Sequence, residues 1–383
     1  MNFSAYQHIS VMPMSSASKK KILCIIGTRP EAIKMAPVIL ALQDQDWAEV
    51  KVLATAQHRD MLDQALADFS IAPDIDLNLM QPNQSLSVLI GKMLLEIDRV
   101  LLDEKPSAVL AQGDTTTVLA ASLACFYAGI PFGHIEAGLR TGDIYSPFPE
   151  EANRVMTGLL ACWHFAPTFV AAENLLAERV PSHKVFITGN TVIDALHYTA
   201  AREVSLSVPL DRTKRIVLVT AHRRENFGQP FVDICTAIKA VAANNPDIEV
   251  LFPVHPNPNI HNVAFELLGN ILNVHLVSPL GYKEFVAAMK LSYFIISDSG
   301  GVQEEAPALG KPVLVLRESS ERPEAIAAGC SRLVGTDVDV IVREAEKLLN
   351  DSAEYNAMVV GVSPYGDGDA SFRIVNILRE HFC

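Results

Sequence analysis

Four residues in this chain have the types and settings that proton-transfer chemistry requires: Asp114, Glu136, Glu150 and His222. Asp114 follows the apolar run 107–111 within Gln112-Gly113-Asp114-Thr115-Thr116-Thr117, and Glu136 follows the run 130–133 within His134-Ile135-Glu136-Ala137-Gly138. Both runs read as strands, so both acids should emerge at the carboxyl ends of parallel strands, where open α/β sheets bind ligands. Such a setting desolvates carboxylates and couples like charges, which raises their pKa toward working pH. Glu150 lies in a third acidic cluster, Pro149-Glu150-Glu151-Ala152-Asn153-Arg154. His222 ends the run 217–221 and is followed by Arg223 and Arg224. Three carboxylates and an imidazole among arginines suit proton movement on an anionic substrate.

Two further stretches offer to hold the anion itself. Gly27-Thr28-Arg29-Pro30-Glu31 follows the first apolar run, and Thr28-x-x-Glu31 has the spacing of a capping box, with Pro30 tolerated in a first helical turn. A helix N-terminus carrying Arg29, with Lys34 one turn on, attracts negative charge. Ser297-Asp298-Ser299-Gly300-Gly301-Val302-Gln303-Glu304-Glu305 opens another helix after a strand, and its glycines let backbone amides approach a phosphate closely. His255, in Val254-His255-Pro256-Asn257-Pro258, and the Gln57-His58-Arg59 loop read equally well as ligand groups or solvated surface.

The chemistry this sequence lacks narrows the reading. Neither G-x-G-x-x-G nor G-x-x-x-x-G-K-[ST] occurs, which argues against a tightly held dinucleotide and a P-loop. His134-x-Glu136 has no cysteine pair or matched third ligand beside it, so no metal site is expected.

The elements that must position these groups alternate regularly. Strand-like runs at 21–26, 50–54 and 108–111 are spaced by helical periodicity at 31–42, 59–69, 86–104 and 116–128. A second series of strands falls at 215–220, 248–252, 274–277, 293–297 and 312–316. Strands separated by helices in this way build βαβ units and parallel sheets. The expected class is α/β, with two Rossmann-like lobes around a cleft. The division predicted is an N-terminal domain over 21–198, a polar linker over 199–214, a C-terminal domain over 215–365 and a closing helical segment over 366–383. Residues 1–20 lack the apolar run of a signal peptide and read as a flexible extension.

Composition sets the outer limits. At 383 residues, with 49% hydrophobic and 20% charged, the chain can bury two cores. A net charge of −13 argues against nucleic-acid binding, which needs clustered positive charge. No run reaches the roughly 20 apolar residues of a membrane span. The six cysteines fall singly, as reduced thiols of a cytosolic protein would.

Taken together, GTRPEAIKMAPV, QHRDMLDQ, QGDTTT, HIEAGLRTGDIYSPFPEEANR, TGNTVIDAL, TAHRRENFG, HPNP, SDSGGVQEEAPALGKPVLVLR and ERPEA make the chain resemble the bacterial non-hydrolysing UDP-N-acetylglucosamine 2-epimerases. The resemblance runs from Lys21 to the C-terminus. It implies a GT-B-like fold whose last helix packs back on the first lobe. The implied activity is interconversion of UDP-GlcNAc and UDP-ManNAc by elimination of UDP to 2-acetamidoglucal and re-addition, with no redox cofactor. It also implies a homodimer. Asp114, Glu136 and Glu150 match the family's catalytic acids, with no assignment of acid to sugar face, and His222 matches the histidine that assists the departing phosphate. Arg29, Lys34, Arg154, Ser299, Gly300, Gly301, Glu305 and Arg322 match its nucleotide-sugar contacts, Glu305 toward the ribose. Phe285 falls where the family packs uracil, and Leu280 stands where some members carry a polar side chain. Some members bind activating UDP-GlcNAc at a second site, and Gln57, His58, Arg223 and His255 match it, although Asp60 replaces an amide of some relatives.

Three other readings fit parts of the pattern: a GT-B glycosyltransferase, a nucleotide-sugar-binding regulator without turnover, and a hydrolysing epimerase releasing ManNAc and UDP. The first needs an acceptor groove and gives no reason for three acids around one sugar ring, and the second predicts that Asp114→Asn and Glu136→Gln leave ligand affinity and biological role unchanged.

Overall fold

Buried, β-branched runs form the centre of each of two parallel sheets, and helices cover both faces. The computed structural model describes residues 19–55, 59–79, 84–319, 322–359 and 363–383. Gln57, His58 and most of the expected N-terminal extension lie outside the described residues.

The first sheet contains β1 (Lys20–Ile26), β2 (Ala48–Ala54), β3 (Ile75–Asp76), β4 (Ala108–Gln112), β5 (Phe132–Ile135), β6 (Trp163–Ala166) and β7 (Val185–Ile187). Its order is β3-β2-β1-β4-β5-β6-β7. Around it lie α1 (Arg29–Gln43), α2 (Arg59–Asp68), α3 (Leu86–Glu104), α4 (Thr116–Ala128), α5 (Glu150–Leu160), α6 (Phe169–Ala177) and α7 (Thr191–Ala200). The second sheet contains β8 (Arg215–Thr220), β9 (Ile248–Pro253), β10 (Val274–Val277), β11 (Phe294–Ser297), β12 (Val313–Val315) and β13 (Ser331–Leu333), ordered β10-β9-β8-β11-β12-β13. Its helices are α8 (Gln229–Asn244), α9 (Pro258–Leu268), α10 (Tyr282–Leu291), α11 (Gly300–Ala308), α12 (Pro323–Ala327), α13 (Val338–Asn350) and α14 (Ser352–Met358), and α15 (Ala370–Phe382) closes the chain.

The strand order decides where a ligand can bind. In the first sheet it reverses between β1 and β4, and in the second between β8 and β11. The crevice beyond the carboxyl ends at such a reversal is the ligand site of open α/β sheets. The four loops there begin at Gly27, Gly113, Ala221 and Asp298, which are the loops the motifs single out.

The lobes meet along a packed seam. Leu196 of α7, Tyr282, Val286 and Met289 of α10, and Val302 and Ala306 of α11 belong to one buried apolar cluster that also includes β1 and α1. The closing helix α15 lies on α1 and α7 of the first lobe. Its first turn is held by Asp194, whose Oδ1 accepts from Ser371 N at 2.7 Å and from Ser371 Oγ at 2.6 Å.

Boundaries differ from the sequence reading in small ways with clear causes. β1 begins at Lys20, paired with Ala48, because the sheet ladder extends one residue past the apolar run. The strand expected at 130–133 is Phe132–Ile135, so His134 lies inside β5 and its ring is buried. Helix α7 continues to Ala200, and residues 201–214 then reach β8 without helix or strand.

Candidate active site

Gly27 allows the first loop to run against the second. A Cβ built there would lie 2.2 Å from Thr117 Oγ1 and 2.9 Å from Thr117 Cβ, so only glycine lets β1 close on α4. Thr28 then caps α1 through the predicted capping box: Glu31 N donates to Thr28 Oγ1 at 3.4 Å, and Thr28 N donates to Glu31 Oε2 at 2.8 Å. Glu31 does more than cap. Its Oε2 also accepts from Gly27 N and its Oε1 from the Thr115 hydroxyl, which ties the β1 loop to the β4 loop. Burial pushes its carboxyl up to about 7 against these hydrogen bonds.

The two acids at the strand ends are held differently. Arg154 of α5 grips Asp114 Oδ2 through Nε at 3.0 Å and Nη2 at 2.7 Å, while Asn153 Nδ2 donates to the Asp114 carbonyl at 2.8 Å. The preceding Gly113 has φ of 91°, a left-handed turn that glycine adopts without strain. His134 Nε2 lies 2.7 Å from the Gly113 carbonyl, which can only accept, so that nitrogen carries the proton. Burial pushes the His134 ring down to about 4, and the ring is therefore neutral at physiological pH.

Glu136 follows β5 with φ of 64°, a conformation that costs a non-glycine residue energy and that concentrates at functional sites. Its Oε1 accepts from Lys34 Nζ at 2.5 Å and from Asn190 Nδ2 at 2.9 Å, and its Oε2 from Gln112 Nε2. A Cβ at Gly113 would come within 4.0 Å of that Oε2, so the two acid-bearing loops are adjacent. The expectation that this carboxyl is raised toward working pH is overturned. Burial does push it up, but Lys34, Arg322 and the Asn190 hydrogen bond outweigh burial and hold it below the ordinary glutamate value.

Glu150 is the first residue of α5 and only partly buried, and it borders a cavity of about 250 Å³ with Gln84, Thr115 and Asn153. None of the hydrogen bonds around Asp114 and Glu136 involves it. Its neighbour Glu151, 1% exposed, receives Thr141 N at 2.8 Å, Gly142 N at 3.1 Å and Arg154 Nη1 at 2.8 Å. Glu151 therefore fixes the arginine that fixes Asp114.

At the strand ends of the second sheet lie the His222 imidazole, after β8, and the N-terminus of α11, after β11. Fully buried Asp298 accepts at Oδ2 from the backbone amides of His222 and Arg223, both at 2.8 Å, and its Oδ1 lies 3.5 Å from His222 Nδ1. The His222 ring stays 43% exposed and stacks on His255 with centroids 6.2 Å apart. Ser299 precedes α11 without using its side chain as a cap, so its hydroxyl and the first amides of the helix are open to a ligand. Arg223 Nη2 stands 3.4 Å from the position of a Cβ at Gly300, and Glu305 Oε2 stands 3.7 Å from that of Gly301.

Glu305 accepts from the Tyr282 hydroxyl at 3.0 Å, and burial pushes its carboxyl up to about 7. Phe285, one turn beyond Tyr282 on α10, is half-buried against the shared core. Arg29 opens α1 on the first-lobe side, where its charge acts on the Tyr282 hydroxyl. Arg322 precedes α12 and donates through Nε to Glu304 Oε1. A cavity of about 300 Å³ extends from Arg154 to Arg322, across the two lobes. A larger one, about 630 Å³, lies between 199–212 and α10, but it contains none of the acids and cannot be the reaction site.

The sequence reading missed the partners Gln112, Glu151, Asn190, Asp298 and Glu304, and the bond by which Glu31 holds Thr115. Each lay inside a motif already singled out, and only folding shows what it holds.

A family model described as UDP-N-acetylglucosamine 2-epimerase matches residues 40–379. A curated UDP-N-acetylglucosamine 2-epimerase of Salmonella typhimurium is 52% identical over 371 residues, covering 94% of this chain and 99% of that protein. A crystal structure of the Neisseria meningitidis UDP-GlcNAc 2-epimerase bound to UDP-GlcNAc is 49% identical with a TM-score of 0.85, covering 94% of this chain and 100% of that one. The Methanocaldococcus jannaschii enzyme in complex with UDP-GlcNAc and UDP is 34% identical with a TM-score of 0.78, covering 94% and 99%.

Proposed function

Because the chain belongs to the UDP-N-acetylglucosamine 2-epimerase family, we propose that it interconverts UDP-GlcNAc and UDP-ManNAc without hydrolysis, by eliminating UDP and adding it back. The C2 hydrogen of the sugar has no adjacent carbonyl to acidify it, so simple abstraction is slow. Elimination avoids that barrier. A carboxylate takes the C2 proton, the C1–O bond breaks, its electron pair leaves on the β-phosphate, and a C1=C2 double bond forms. A proton returned to the opposite face of C2 and attack of the phosphate oxygen on C1 restore the nucleotide sugar with C2 inverted.

The observation that carries this reading is Glu136: a buried carboxylate kept ionised by Lys34 and Asn190, on the loop after β5, next to the β4 loop that bears Asp114 where the first sheet reverses. An ionised, desolvated carboxylate beside a second acid suits proton transfer on two faces of one ring. Glu150 remains the third acid of the proposal, on the α5 side. Across the cleft, His222, Arg322 and the Ser299-Gly300-Gly301 amides would receive the charge that develops on departing UDP. Glu305 would accept the ribose hydroxyls, Phe285 would pack uracil, and Arg29, Lys34 and Arg154 would contact the diphosphate and sugar.

The proposed division is a first domain from 21 to the end of α7, a linker over the residues from 201 to 214, a second domain over 215–365 and the closing helical segment 366–383, with the nucleotide on the second lobe. Arg223 and His255 flank His222 and would form part of a second, activating UDP-GlcNAc site. A homodimer fits the exposed apolar side chains Leu95, Leu102, Phe126, Tyr127 and Leu159 on neighbouring helices α3, α4 and α5. Unpaired cysteines fit a cytoplasmic location, and no helix among the described residues is long and apolar enough to cross a membrane.

Proton NMR of the products tests the non-hydrolysing mode. The expected mixture is UDP-GlcNAc and UDP-ManNAc at constant total nucleotide sugar. Accumulation of free ManNAc with UDP would assign the hydrolysing reaction instead.

A further inference from the structure

We propose that Glu304 is a positioning residue for the epimerisation, a second-lobe carboxylate that holds Lys34 and Arg322 across the cleft and balances the charge they place on Glu136. The inference rests on the epimerase reading of the site. Residue type and position alone do not separate Glu304 from its neighbour Glu305. On α11, however, adjacent residues point about 100° apart, and the two acids face different partners. Glu305 turns to Tyr282 within its own lobe. Glu304, 2% exposed, turns to Arg322 and to the first lobe, where its Oε2 lies 3.7 Å from Lys34 Nζ and 3.4 Å from Asn190 Nδ2.

Lys34 and Asn190 are the same two groups that donate to Glu136 Oε1. Each first-lobe donor is therefore shared by an acid of its own lobe and an acid of the other. Lys34 and Arg322 carry two positive charges and Glu136 and Glu304 two negative ones, so the charges of these four groups cancel. A carboxylate this buried is costly unless its partners are well placed. With almost no exposed surface, Glu304 has no face to offer a ligand and can act only through the two cations. Without it, Lys34 and Arg322 would repel each other and bear more strongly on Glu136, strengthening its ionised form and making it a weaker base. The Lys34 and Asn190 contacts also form only when the lobes are together, so the balance exists only in the closed cleft.

The test uses the full-length enzyme and starts from wild-type turnover of UDP-GlcNAc. If wild type does not epimerise, the functional reading fails and the Glu304 variants are not its cause. With wild-type turnover established, Glu304→Gln should lower kcat by about 30-fold or more. Its affinity for UDP should stay within about threefold of wild type, or tighten, because Ser299, Gly300, Gly301 and Glu305 are untouched. The acidic limb of the kcat profile should move to lower pH. Glu304→Asp, which keeps the charge, should restore the limb and part of the rate. Should Glu304→Gln not fold, Glu304→Asp decides alone: a reduced rate with the wild-type limb supports the role, and an unreduced rate refutes it. An unchanged rate and limb in folded Glu304→Gln, or equal losses of UDP affinity and turnover, would overturn the proposal and leave an ordinary structural ion pair.

Discussion

Arg154 holds Asp114 with two of its guanidinium nitrogens on one carboxylate oxygen, Oδ2, and leaves the other oxygen free of that grip. The arginine is itself fixed by buried Glu151. An acid placed this way has one anchored oxygen and one available for a proton. Asp114→Asn should therefore keep its position and its affinity for UDP while kcat falls by about 10²- to 10⁴-fold, the usual range for a proton-transfer group. Steady-state epimerisation kinetics beside UDP titration calorimetry checks this.

Lys34 sets the charge state of Glu136, and the sign of its removal follows from linkage. The folded pKa of Glu136 lies below its ordinary value, so its ionised form persists as pH falls and is lost only through that depressed value. In Lys34→Met, burial is no longer opposed by the ammonium, and the carboxyl rises. The acidic limb of kcat/KM should move to higher pH, opposite to the shift expected for Glu304→Gln. A profile from about pH 3 to 9, which extends below the ordinary glutamate value, reads both.

Glu305 should make nucleotide binding pH-dependent. Its carboxyl moves from an ordinary 4.5 to about 7, chiefly through burial. The ionised form accepts from two ribose hydroxyls, so affinity for UDP should rise as pH passes through about 7. Glu305→Gln should flatten the part of that rise which the UDP phosphate does not itself cause. The same shift bears on folding. Between 4.5 and about 7 the unfolded chain loses this proton first, so the contribution of Glu305 to stability falls as pH rises across that window. Calorimetry and melting curves at pH 6 and 8, wild type against Glu305→Gln, measure both effects.

Gly27→Ala tests the junction of the two first-lobe loops. The new methyl would meet Thr117 Oγ1 at 2.2 Å, with Thr55 Oγ1 3.0 Å away. Neither threonine can retreat freely, since both are buried and their hydroxyls are hydrogen-bonded to each other at 3.1 Å. A loss of about 1–3 kcal/mol of stability is expected from overpacking. Thermal unfolding checks it, and an unchanged melting temperature would show that the loops are looser than the structure has them.

These residues also show what could be read before the structure. The α/β class, the two sheets and the loops bearing Asp114, Glu136, His222 and Ser299 were legible because apolar runs and helical periodicity are local signals. So was the capping box of Thr28 and Glu31. The sign of the Glu136 shift was not. It depends on Lys34, Asn190 and Arg322, each more than 50 residues away in sequence, and local composition suggested only burial. Glu151 was overlooked beside Glu150, and Glu304 beside Glu305, because paired acids in a helix are told apart only by the face each turns to the fold.

The central claim is that a proton leaves C2 and returns from solvent-exchangeable acids while UDP departs and comes back. Incubation with UDP-GlcNAc in deuterium oxide, followed at C2 by NMR, addresses it directly. Deuterium should accumulate at C2 of UDP-ManNAc, and label should disappear along with turnover in Asp114→Asn. Inversion with the original hydrogen retained at C2 would contradict the account.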